Sequence, residues 1–103
     1  MDNNLVVSVS LTLQRKLAVV HALYEFIDQK NNELASLAKR LQCTINERIT
    51  GLELSKREID DIINALELAL KKIKDSGAQR YGTLSIAELE RLADDFREFF
   101  RKF

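Results

Sequence analysis

A chain of 103 residues with 16 basic and 16 acidic side chains carries no net charge, and so has no general electrostatic pull toward DNA, RNA or an anionic membrane. That length makes one domain, residues 1–103, and a composition 46% hydrophobic and 31% charged is that of an ordered, soluble chain without a membrane span. The single cysteine, Cys43, excludes an intramolecular disulfide and fits a reducing cytoplasm, and Met1-Asp2-Asn3-Asn4 lacks the basic start and long apolar core of a secretion signal.

Along residues 5–13, Leu5, Val7, Val9, Leu11 and Leu13 alternate with Val6, Ser8, Ser10 and Thr12. Period two with β-branched enrichment predicts an extended arm over 1–12. A lone strand leaves backbone groups unpaired. The arm therefore pairs with the short stretch Ile49–Leu54, pairs with its copy in another chain, or stays extended.

Leu13, Leu17, Val20, Tyr24 and Ile27 follow at 4-3-4-3 spacing, and the register extends through Asn31, Leu34, Ala38, Leu41 and Ile45. One reading is a single helix over 13–48, ~54 Å long at the α-helical rise, outreaching a small domain and projecting surface for a partner. The absence of Gly and Pro favours it. The other is a break near Asn31-Asn32, where Asn can cap a second helix.

Gly51 ends that element, and helix two runs over 55–74, with Ile59, Ile62, Ile63, Leu66, Leu70 and Ile73 as a wide apolar stripe. A loop over 75–84 holds Gly77 and Gly82, and helix three spans 85–101 with Leu89, Leu92, Phe96 and Phe99 on one side. Ser55 with Glu58, and Ser85 with Glu88, are capping boxes that mark the starts of helices two and three. The expected fold is all-α: a three-helix antiparallel bundle, its first helix long or broken, behind an extended N-terminal arm.

Residues able to carry chemistry are few. His21, the only histidine, has Glu25 and Asp28 further along the same helical side. One histidine with helix-surface carboxylates is a poor metal set, and nothing nearby reads as a nucleophile. Cys43 lacks a base in sequence reach. The doublets Asp60-Asp61 and Asp94-Asp95 point about 100° apart on a helix and make no paired-carboxylate site. No catalytic, metal or cofactor set is assigned. The best local candidate is Arg80-Tyr81 between two glycines, a guanidinium beside a phenol just ahead of a helix N-terminus, suited to a small nucleotide-like anion.

The arm, the long helix and the Phe-rich tail hold more apolar surface than one small domain easily hides. The expected function is therefore non-catalytic: a cytoplasmic protein acting by protein–protein contact and self-association as a homo-oligomer. Leu5, Val7, Val9, Leu11, Phe99 and Phe103 are its candidate interface residues. Small accessory, antitoxin-like or phage-type inhibitor proteins resemble it in size and style, though no motif assigns a family. A ligand-binding oligomer using Arg80 and Tyr81 is the alternative, an enzyme the weakest.

Overall fold

β1 (Val6–Ser10) forms where the alternation predicts it, and its partner lies within the same chain. The computed structural model describes residues 6–27, 32–46 and 51–102. β1 pairs antiparallel with β2 (Gly51–Ser55), placing Val7 opposite Leu54 and Val9 opposite Leu52. Pairing with the 49–54 stretch is thus the fate the arm takes. The alternation turns Val9 and Leu11 into the core, 1% and 3% exposed, and half-buries Val7. Val6, Ser8 and Ser10 face out. Leu5 lies outside the described residues.

Of the two readings of residues 13–48 the broken helix is the one formed, so the described residues hold four helices rather than three. α1 (Leu13–Ile27) and α2 (Asn32–Asn46) are separate helices, with Asn32 opening the second. Asn31 lies outside the described residues. Thr12 starts α1 as a cap, its Oγ1 accepting from Arg15 N–H at 3.3 Å and its carbonyl from Lys16 N–H at 3.0 Å. α2 folds back on α1: Lys16, near the start of α1, donates from Nζ to Thr44 Oγ1, near the end of α2, at 3.2 Å. The longest dimension of the molecule, 44 Å, is shorter than the ~54 Å a continuous helix needs. Folding back gives Leu37, Ala38 and Leu41 of α2 a surface to bury against, and helices of this length depend on such packing.

α3 (Lys56–Ser76) follows β2 with no linker, because Ser55 both ends the strand and caps the helix. Its Oγ accepts from Glu58 N–H at 3.2 Å, while Glu58 Oε1 accepts from Ser55 N–H at 2.9 Å. Arg40 of α2 closes on the same Glu58 carboxylate. Burial works to raise the Glu58 pKa, but the Ser55 N–H and the Arg40 guanidinium outweigh it and hold the carboxyl below its ordinary value. Gly77, at φ 74°, ends α3 in the left-handed conformation that favours glycine.

The expected 75–84 loop contains a small antiparallel ladder, β3 (Arg80–Tyr81) with β4 (Leu84–Ser85), turning at Gly82 with φ 61°. α4 (Ile86–Arg101) starts at the second capping box, Ser85 Oγ accepting from Glu88 N–H at 3.2 Å.

Ion pairs show the directions of the helices. Arg97 meets Glu67 at 3.1 Å and Lys74 meets Glu90 at 3.6 Å, so α4 runs antiparallel to α3. Lys72 meets Glu25 at 3.4 Å, late residue to late residue, so α1 runs with α3. The core between them holds Leu23, Leu54, Ile59, Leu66, Leu89 and Phe96, each 0% exposed. Phe99 stands edge-on to Phe96 at 5.4 Å and is half-buried, as is Phe100. Lysine ammoniums lie over both rings, Lys102 over Phe99 and Lys56 over Phe100. Phe103 lies outside the described residues. Among the described residues no helix is long and apolar enough to cross a membrane.

Candidate binding site

α1 is apolar on two sides. Its inner arc packs Val19, Ala22 and Leu23 into the core, at 0%, 1% and 0% exposure. Its outer arc carries Leu13, Leu17 and Tyr24, which fall within about 40° of one another on the helical wheel. These three are 56%, 44% and 43% exposed and, with Val6 at 48%, are the large hydrophobic side chains most open to water among the described residues. Of the 4-3-4-3 series, Leu13, Leu17 and Tyr24 thus form a surface seam and Val20 is buried, while nothing is described of the Ile27 side chain. The inner face instead includes Lys16, 2% exposed, whose ammonium pKa burial lowers.

Beside Leu17 lies a cleft of about 260 Å³, lined by Gln14, Leu17, Ala18 and His21 of α1 and by Tyr81, Gly82 and Thr83 of the β3–β4 turn. Its walls are mostly apolar, with the Gln14 amide, the His21 ring and the Thr83 side chain as polar points. Gly82, in the left-handed conformation, lets the chain reverse between β3 and β4.

Glu25 holds this end of the molecule together. Tyr81 donates its hydroxyl proton to Glu25 Oε1 at 2.7 Å. His21 Nε2 approaches the same oxygen at 3.1 Å, and Lys72 donates to Oε2 at 3.4 Å. The His21 and Tyr81 rings meet edge-to-face at 5.1 Å. Burial first, and then the hydrogen bond to and charge of Glu25, push the Tyr81 phenol far above its ordinary value. The phenol thus keeps its proton and serves as a donor. One carboxylate clasps α1, α3 and β3, segments far apart in the chain.

The two residues of the expected anion site part company here. Strand alternation turns Tyr81 inward, 8% exposed, and leaves Arg80 in solvent, its Nη2 donating to the Thr83 carbonyl at 3.2 Å. The Tyr81 hydroxyl proton is engaged by the Glu25 carboxylate within the chain. Of the candidate interface residues, Val9 and Leu11 are in the core, Val7 and Phe99 are half-buried, and Leu5 and Phe103 are outside the described residues.

The His21–Glu25 pair was legible as an i,i+4 spacing, but Tyr81 reaches it from 56 residues away. The outer seam was missed as a surface. Its signal was the second apolar series, Val19, Ala22, Leu23 and Phe26, which shows α1 to be apolar on two faces. Cys43 is exposed on α2. Among the described residues no three His, Cys, Asp or Glu side chains come together as a metal set. No family model, curated protein or solved structure matches this chain.

Proposed function

We propose that this chain is a non-catalytic, cytoplasmic binding protein that engages a folded polypeptide through the outer face of α1. The observation that carries this reading is the exposed seam of Leu13, Leu17 and Tyr24 on a helix whose other face is already buried. A surface helix ordinarily turns its polar side to water, so a second apolar stripe is explained by a partner that covers it. The adjoining cleft adds a concave site for one inserted side chain, the arrangement that concentrates binding energy at interfaces. The Glu25 clasp contributes rigidity: its two oxygens are engaged by Tyr81, His21 and Lys72, which favours a positioning role over acid–base chemistry.

The test is photo-crosslinking in cells, with a photoreactive aromatic residue at position 17 and, as a control, at the exposed position Lys39 on α2. A discrete protein adduct from position 17, with none from 39, is the expected result. Equal yields from both positions, or no adduct from 17, would refute a partner on this face.

A further inference from the structure

Resting on the protein-binding reading above, we infer that the occupant of the outer face is α1 of a second copy, packed antiparallel about a two-fold axis between Val20 and His21. Three observations lead there.

The first is the spacing. The exposed Leu13, Leu17 and Tyr24 stand four and seven residues apart, intervals that keep them in one row along a helix, as in a seam where two helices pack side by side. The partner that fits such a seam is another helix.

The second is charge. Among the described residues the outer arc, Leu13, Gln14, Leu17, His21 and Tyr24, contains no Lys, Arg, Asp or Glu, and Asp28, next along that side in sequence, lies outside them. The charged side chains of α1 are engaged within the chain: Arg15 with Asp95 at 2.9 Å, Glu25 with its three donors, and Lys16 buried on Thr44. A strongly charged partner finds no complement here. A second copy offers the same neutral surface and meets no like-charge repulsion, the condition for a self-complementary two-fold contact.

The third is shape. Antiparallel packing about that axis sets Tyr24 of the second copy opposite Leu17, and the reverse, so one contact is made twice. Leu17 forms one wall of the cleft that His21, Tyr81 and Thr83 complete. Tyr24 does not line that cleft in its own protomer. The ring of Tyr24 from the second copy enters it as a knob, its apolar body against Leu17 and Ala18 and its hydroxyl toward the polar Gln14 and Thr83 side chains. A parallel pair sets Tyr24 on Tyr24 and leaves the cleft unfilled.

The exposed apolar area of the seam is on the order of a few hundred Å², below the ~800 Å² per partner of a standard stable interface, so the dimer is weak, with a dissociation constant on the order of micromolar.

Sedimentation equilibrium from ~5 to ~500 μM brackets that affinity. Wild-type protein is expected to pass from monomer to dimer across the range. Leu17→Asp and Tyr24→Lys, both at exposed positions, are each expected to stay monomeric with unchanged helical circular dichroism. Mixed together, they are expected to form a heterodimer. In the antiparallel arrangement Asp at 17 faces Lys at 24 across one contact, while the other keeps its native Leu17–Tyr24 pair. A wild-type monomer throughout overturns the self-association and leaves the outer face, if position 17 still crosslinks, to a different protein. Single variants that still dimerise move the contact to another surface. Monomeric single variants whose mixture stays monomeric overturn the antiparallel register.

Discussion

Replacing Tyr81 by Phe removes one oxygen and tests whether the Glu25 clasp stabilises the fold. The ring remains, together with its edge contact to His21, so packing is conserved and the loss is that of the 2.7 Å hydrogen bond to Glu25. A hydrogen bond to a charged acceptor contributes about 1.5–3 kcal/mol. Glu25 is 30% exposed and keeps His21 and Lys72, so the low end applies, about 1.5 kcal/mol. With a urea dependence of about 1–1.5 kcal/mol per molar for a small domain, the unfolding midpoint falls by roughly 1 M.

The pH profile adds a second signature. The Tyr81 phenol is raised by burial and by Glu25, so the folded state keeps a proton that the unfolded chain releases above pH 10. Its contribution is therefore complete below pH 10 and is lost as pH rises beyond it, by at most about 1.4 kcal/mol per pH unit. Tyr81→Phe removes that loss, so the difference between the two proteins narrows at high pH. Urea unfolding followed by far-UV circular dichroism at about pH 7 and about pH 11 measures both effects. Equal midpoints at neutral pH, together with parallel pH profiles, would refute the clasp.

Three further outcomes follow from the same structure. Lys16→Met keeps the length of a buried side chain and removes its charge, so stability at neutral pH is expected to hold or rise by about 1–2 kcal/mol. Because burial lowers the Lys16 pKa below 10.5, its cost fades as pH climbs toward that value, and the Met variant loses this upward slope; a drop beyond ~2 kcal/mol in urea unfolding contradicts the assignment. Ser55→Ala and Ser85→Ala are each expected to cost about 1 kcal/mol as lost helix caps, and Glu58→Gln to flatten the acid limb: Glu58 stabilises the fold fully above pH 4.5, and that contribution is lost as pH falls through its lowered folded value. Phe96→Ala opens a hole in a fully buried site and is expected to cost about 3–5 kcal/mol, seen as a steep fall in Tm; a loss under ~1 kcal/mol means that the helices collapse into the gap.

The local signals in the chain were strong and the tertiary ones were not. Both Ser-x-x-Glu boxes appear as caps with reciprocal bonds, and helix ends were readable because a capping hydroxyl acts within three residues. The β1 alternation was equally local, whereas the choice among the arm's three fates was not, because its partner strand lies beyond two helices. The α1–α2 division was obscured because seam spacing continues through Asn31 and no Gly or Pro interrupts it. Which side of α1 faces inward was illegible for a different reason. Periodicity finds an apolar stripe but cannot choose between two, and the buried one includes a lysine. The cleft and the clasp depend on Tyr81 returning to α1 from the far end of the chain, a contact that no spacing encodes. Arg80-Tyr81 read as one surface site because adjacency in sequence hides the alternation that a two-residue strand imposes.

The β1–β2 pairing also bears on how the protein is made. During synthesis β1 emerges first and its partner only about forty residues later, a closure that entropy opposes until the intervening helices have folded. Through that interval the ribosome presents an uncharged, valine-rich segment without Pro or Lys to discourage stray pairing. Slowing elongation ahead of residue 51 lengthens the exposure, and early folding of α1 against α2 readies the chain for pairing as soon as β2 arrives. The nascent chain thus needs β1 shielded from the emergence of Val6–Ser10 until the arrival of Gly51–Ser55.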